Sequence, residues 1–237
     1  GHLIRCLNII KFLKKKNNIK NIGLAINCDK NKNEAKKIIS QTQTNKLDIG
    51  YKFGLEFMNS KKGRQFVSNL RNKIIFIDLK LNDTVNTMLS AVKALKDLKI
   101  NYLTVHISSG LTALKAVKKI SQCKIVGVST LTSLNNKDLK TIGYNRSVKN
   151  LVAHQAKLAD RAGLDAVVCS PYEVNIVRKV FKKEIITPGV QIGKKNYDQK
   201  RSMEAKNVNS DWLVIGRSIT RRGDIKKNIQ KLIKSLN

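Results

Sequence analysis

Eight short apolar, β-branched runs, each followed by a segment of helical spacing, constrain this chain more than any other feature. The runs are "NIGLAIN" (21–27), "LDIGYKF" (47–53), "KIIFIDL" (73–79), "YLTVHI" (102–107), "KIVGVST" (124–130), "DAVVCS" (165–170), "EIITPG" (184–189) and "WLVIGR" (212–217). Between them, residues 33–41 and 83–98 have helical spacing, and residues 147–163 repeat apolar side chains at i, i+3, i+4 and i+7 and end in Gly163, a helix stop. Strands that are apolar on both faces belong in a parallel sheet covered by helices. Eight such units in 237 residues fit a single-domain α/β fold, the (β/α)8 TIM barrel, better than an open doubly wound sheet. The barrel is expected over 21–237, after a basic amphipathic lead-in over 1–20 whose Gly1 and His2 are compatible with a tag scar. Neither G-x-G-x-x-G nor G-x-x-x-x-G-K-[ST] occurs, which weighs against the open nucleotide-binding alternative.

The charge is extreme, 47 Lys+Arg against 16 Asp+Glu, a formal net of +31. A clustered excess would gain from counterion release on phosphates and would point to nucleic acid. Here the lysines are spread over nearly every helical segment (Lys36, Lys61, Lys118, Lys182, Lys226) without interleaved aromatics. Solvated faces explain that pattern better than a specific nucleic-acid site, although loose adhesion to polyanions at low salt is expected. No run is long and apolar enough to cross a membrane. Cys6, Cys28, Cys123 and Cys169 show no paired spacing, so reduced thiols and a cytoplasmic location are expected. His154 falls inside a helical pattern and His106 at a strand end, where hydrogen bonding in the barrel mouth is expected of it. Neither suggests a metal site, and Trp212 reads as packing.

In a parallel barrel, chemistry sits where the strands end. Those ends carry Asn27, Lys52, Asp78, Lys80, His106, Thr130, Thr132, Ser170, Gln191 and Arg217. Along a regular strand Asp78 and Lys80 share a face, and Lys52 ends the neighbouring strand. Asp83 follows closely, with a helix cap as its competing role. Alternating signs at close quarters hold each group in its charged form. Such an array suits a reaction in which one negative charge departs and another develops at a nearby carbon. Gly216 and Arg217 of "VIGRSIT" are placed to bind phosphate after the last strand, and residues 187–201 have the length and glycines of a lid.

These residues resemble a known family. "FIDLKLNDTVNT" is similar to the signature of bacterial-type orotidine 5′-phosphate decarboxylases, D-x-K-x-x-D followed by N-T. "YKFGLEF", "VHISSG", "VSTLTS", "AGLDAVVCSP", "ITPGV", "DQKR" and "VIGRSIT" follow in the same order, so the resemblance spans nearly the whole chain from Ile22. It implies a cofactor-free carboxy-lyase that converts orotidine 5′-phosphate to uridine 5′-phosphate in pyrimidine biosynthesis, and a homodimer with shared sites. Lys80 would be the proton donor to C6. Lys52, Asp78 and Asp83 would complete the charge network, with Asp83 and Thr87 reaching the neighbour's substrate. Thr132 would contact the base; Gln199, Arg217 and the Gly216 backbone would hold the phosphate. Asn27 and Gln191 would occupy two further ligand positions.

Three positions depart from that pattern: Asn27 stands at a usual Asp, Gln191 at a usual Arg and Val85 at a usual Pro. The amide of Asn27 still bonds hydroxyls, while Gln191 removes one bidentate cation from the phosphate. The departures imply retained but weakened activity. D-x-K-x-x-D alone is shared with keto-sugar-phosphate decarboxylases and synthases that use Mg2+ on the same barrel. A different class of rival is a degenerate, non-enzymatic polyanion-binding protein, motivated by the net charge.

Overall fold

The computed structural model describes residues 23–28, 31–191, 203–220 and 223–236. Eight parallel strands close into a barrel: β1 (Gly23–Asn27), β2 (Asp48–Gly54), β3 (Ile74–Leu81), β4 (Tyr102–His106), β5 (Lys124–Val128), β6 (Ala166–Val168), β7 (Glu184–Thr187) and, after two short strands, β10 (Trp212–Ile215). Each expected run forms one of them. The two short strands, β8 (Val190–Gln191) and β9 (Met203–Glu204), pair outside the barrel. The lead-in over 1–20 lies outside the described residues, as does most of the 187–201 segment read as a lid.

The helices between the strands are α1 (Lys32–Gln41), α2 (Leu55–Asn59), α3 (Gly63–Ser68), α4 (Val85–Ala94), α5 (Leu111–Ile120), α6 (Asn136–Thr141), α7 (Val148–Arg161) and α8 (Val174–Val180). α9 (Arg217–Thr220) and α10 (Ile225–Leu236) follow β10. Their ends have local causes. Asn31 caps α1 by accepting the Asn33 and Glu34 N–H groups, each at 3.0 Å. Gly163, at φ 76°, closes α7 as the sequence suggested; the Gly163 and Leu164 N–H groups donate back to Asp160 and Ala159. β7 stops at Thr187, short of the expected 189, because Pro188 has no N–H to give the ladder. α4 ends at Ala94 rather than 98, where the Leu95, Lys96 and Leu98 N–H groups turn to carbonyls three residues back.

Strand alternation divides the apolar residues into two cores. Outward-facing side chains such as Ile26, Phe53, Ile77, Leu103 and Leu213 pack beneath the helices and are fully buried. Phe53 meets Phe57 and Phe66 at ring-centroid distances of 4.8 and 6.1 Å, which ties the end of β2 to α2 and α3. Inside the barrel a separate cluster joins Ala25, Phe76, Tyr102, Val126, Ala166, Ile186 and Trp212. Phe76 and Tyr102 stack at 4.1 Å, and Trp212 sets its edge against both at 5.0 and 5.7 Å. Below this plug the Tyr102 hydroxyl donates to Glu184 at 2.9 Å, and Lys124 pairs with the same carboxylate. The interior is therefore filled, and a ligand has access only to the mouth above the plug.

Two glycines make room for the plug. A Cβ on Gly23 would sit 2.4 Å from the Trp212 ring, and one on Gly50 would sit 2.4 Å from Phe76. Neither ring can retreat into a packed interior. Gly50→Ala should therefore destabilise the protein by about 1–3 kcal/mol, measured as a lower urea midpoint at unchanged slope; an unaltered midpoint would show that the plug yields.

Candidate active site

The floor of the mouth is the top of the aromatic plug, and the first charged layer stands directly on it. Lys52 pairs in register with Phe76 on one side and Asn27 on the other, so its side chain points inward. Phe53, locked outward in the Phe57–Phe66 cluster, holds that orientation. One step further along β3, Asp78 is 7% exposed. Its Oδ2 accepts from Lys52 Nζ at 2.5 Å and its Oδ1 meets Lys80 Nζ at 2.9 Å.

Regular alternation does not produce the second contact. The β3–β4 register runs Phe76 to Tyr102 and Ile77 to Leu103, then jumps to Leu81 opposite Val105, so β3 carries a bulge. Within the bulge Lys80 adopts φ 50°, the left-handed region that a side chain with a Cβ enters only against strain. The bulge turns the Lys80 side chain onto Asp78 and takes its N–H off the ladder. That N–H donates to Thr104 Oγ1 at 2.8 Å, and the same hydroxyl donates to Asp78 Oδ1 at 3.0 Å. Thr104 was absent from the sequence reading. Its position two residues before His106, on the same face of β4, is the signal that could have found it.

Burial pushes the Asp78 carboxyl up. The Lys52 and Lys80 ammonium groups and their hydrogen bonds outweigh that effect and bring its pKa from 3.8 down to about 2. Asp78 is thus an anion throughout the neutral range. His106, beside the cluster, is held below its usual 6.5 by burial and by Lys80. Its ring makes no hydrogen bond with a described residue, contrary to the expectation for it; its carbonyl accepts from Ser109 at 2.8 Å.

The remaining candidates fall into three places. Asp83 and Thr87 are exposed together where α4 begins: Asp83 Oδ1 accepts the Thr84 N–H at 2.6 Å, and Thr84 and Thr87 hydroxyls meet at 3.0 Å. Thr84, not Asp83, is the N-cap residue, and among the described residues no ion pair joins Asp83 to Lys52 or Lys80. Within one chain the expected quartet is a trio. At the end of β1, beside Lys52, Asn27 lies against Gly216, where an added Cβ would be 3.2 Å from Asn27 Nδ2. Asn27 Oδ1 is buried with no hydrogen-bond partner among the described residues. Arg217, exposed, starts α9, and the Ile219 and Thr220 N–H groups donate to the Gly216 carbonyl. Gln191 is buried on β8, and Gln199 lies outside the described residues. Thr132, partly buried, is carried by the loop after β5; Gln155 of α7 anchors that loop by accepting the Thr130 N–H and hydroxyl at 2.8 and 3.0 Å.

The model of the "Orotidine 5′-phosphate decarboxylase / HUMPS family" matches residues 20–232. The chain belongs to this family. A family member from Wolbachia pipientis (strain wPip), named orotidine 5′-phosphate decarboxylase, is 41% identical over 195 residues, covering 78% of this chain and 86% of that protein. A second, of the same name, from the Wolbachia of Brugia malayi is 37% identical over 221 residues, covering 89% and 98%. Among solved structures, orotidine 5′-phosphate decarboxylase from Lactobacillus acidophilus superposes with a TM-score of 0.77 at 28% identity, over 91% of this chain and 99% of that one.

The electrostatics of Asp78 make a test that needs no substrate. A depressed carboxyl pKa contributes stability that is complete above the unfolded value near 3.9 and is lost as pH falls through about 2. Between pH 5 and 2 the parent should lose on the order of 2 kcal/mol more unfolding free energy than Asp78→Asn. Parallel losses in urea titrations would show that the carboxylate is not so held.

Proposed function

We infer that this chain catalyses the decarboxylation of orotidine 5′-phosphate to uridine 5′-phosphate, the last step of UMP biosynthesis. One observation carries the reading beyond family membership: a buried carboxylate clamped between two ammonium groups at the mouth of a filled barrel. Loss of CO2 from C6 leaves an electron pair in the plane of the pyrimidine ring, orthogonal to its π system. The ring carbonyls give that pair little delocalisation, so fixed charge must stabilise it. Lys80 is the group proposed to face C6 and deliver the proton. Asp78, itself paired with Lys52, holds the Lys80 ammonium in place, and Asp78 is also proposed to crowd the departing carboxylate.

The other positions follow from this placement. Asn27 Oδ1, buried with no hydrogen-bond partner among the described residues, is suited to a ligand hydroxyl, since an orphaned acceptor is otherwise destabilising by about 1–3 kcal/mol. Arg217, the Gly216 backbone, Gln199 and Gln191 are proposed to receive the phosphate, and Thr132 the base. Phosphate binding far from C6 would then supply energy to the chemical step. Asp83 and Thr87 are exposed, and among the described residues Asp83 makes no ion pair with its own chain's cluster; a homodimer that lends them to the neighbour's site would complete the quartet. No disulfide involves Cys28, Cys123 or Cys169, and no helix among the described residues is long and apolar enough to span a membrane. The shared name of the relatives favours this substrate over a keto-sugar phosphate, and favours an enzyme over a polyanion-binding remnant.

Purified protein with orotidine 5′-phosphate should show a loss of ultraviolet absorbance as uridine 5′-phosphate forms, and Lys80→Ala should lower kcat at least about a thousandfold while uridine 5′-phosphate still binds. No turnover by the parent would refute the reading, and full activity of Lys80→Ala would reassign the proton donor. Shared sites have their own signature. Mixing inactive Lys80→Ala with inactive Asp83→Ala, then letting subunits exchange, should restore about a quarter of the parent activity, because each hybrid dimer keeps one intact site. Mixtures that stay inactive would confine each site to one chain.

A further inference from the structure

Thr104 is 5% exposed on the inner face of β4 and makes two hydrogen bonds, both to the Asp78–Lys80 turn. A hydroxyl has one proton to donate and lone pairs to accept with. The Lys80 N–H can only donate, so it occupies a lone pair, and the Thr104 proton is left for Asp78 Oδ1. The direction of the relay is therefore fixed: amide to hydroxyl to carboxylate. Each bond polarises the next in a site shielded from water.

The relay spans the element that regular strand geometry cannot hold. Lys80 sits at φ 50° inside the bulge, a conformation that persists only where its surroundings over-determine it. Its N–H has left the ladder and would otherwise be an orphaned donor. The hydroxyl satisfies that donor and ties the turn to the carboxylate that the Lys80 ammonium contacts at 2.9 Å. We propose that Thr104 is a positioning residue that locks the left-handed turn at Lys80 onto Asp78, and so fixes the ammonium for proton delivery. The kinetic part of this inference rests on the decarboxylase reading; the structural part does not.

Two variants separate the hydroxyl from its shape. Thr104→Val keeps the branched side chain and loses the relay; Thr104→Ser keeps the relay and loses a methyl group. Thr104→Val is expected to lower kcat on the order of tenfold to a hundredfold while the Kd for uridine 5′-phosphate moves less than about twofold. Thr104→Ser should return kcat to within about threefold of the parent. Hydrogen exchange at the Lys80 amide should accelerate on the order of tenfold in Thr104→Val and not in Thr104→Ser. Parent-level kcat in Thr104→Val overturns the proposal. So does equal impairment of both variants, or loss of nucleotide binding in step with kcat, since each would mark a packing defect. A parent without turnover refutes the decarboxylase reading instead. In that event the exchange rates decide alone, and equal protection of the Lys80 amide in parent and Thr104→Val refutes the lock.

Discussion

A carboxylate taken out of water at the top of a barrel has to be paired, and the way Asp78 is paired organises everything around it. Desolvation alone favours the neutral acid, and in an apolar mouth the group would simply protonate. Two ammonium groups and their hydrogen bonds reverse that preference. Ion pairs as buried as that of Lys52 and Asp78 seldom add net stability, because desolvation offsets most of their attraction. Removing one partner is nevertheless destabilising, since it strands the others. The cluster is thus rigid without being a net source of folding free energy, which is the property a fixed-charge catalyst needs.

The rest of the fold serves that rigidity. The Phe76–Tyr102–Trp212 plug closes the barrel interior, so the charges stand on an incompressible apolar floor instead of over a water-filled pore. Water admitted from below would screen the ion pairs and solvate the very pair of electrons that Lys80 is proposed to meet. Phe53, next to Lys52 on β2, packs into the outer core, and Phe76, the register partner of Lys52 on β3, belongs to the plug, so both cores contribute to one ammonium position. The bulge at Lys80 is where β3 departs from regular strand geometry, and it departs at the residue proposed to deliver the proton.

The barrel was legible in the sequence because two-sided burial writes an unbroken apolar run into every strand, and all eight runs are strands. Asp78 and Lys80 were correctly brought together, but for an incomplete reason. Simple alternation puts i and i+2 on one face; here the contact is made through a bulge and a positive φ, which nothing in "DLKL" announces. Thr104 escaped notice for a related cause. Threonine is an ordinary strand residue, and its role appears only once the register shift shows whose N–H it receives. The two-residue strands β8 and β9 are too short to carry a periodicity at all. Asp83, expected to complete the quartet from a neighbouring copy, is within its own chain an exposed group beside the start of α4; no local pattern states which copy of a chain a side chain serves.

That last point has an electrostatic consequence. Lys52, Asp78 and Lys80 leave one excess positive charge in the mouth of a single chain, and the proposed loan of Asp83 from a neighbour would cancel it. A neutral quartet holds its ammonium groups without attracting counterions into the site, whereas a cationic trio would draw in any small anion. The formal charge of +31 changes this little. At physiological ionic strength fields decay over about 8 Å, so lysines on the outer faces of the helices are largely screened from the mouth. They raise the encounter rate of an anionic nucleotide with the protein as a whole. Discrimination between that nucleotide and other anions is left to the few groups at the strand ends, where two of the cations are already committed to Asp78.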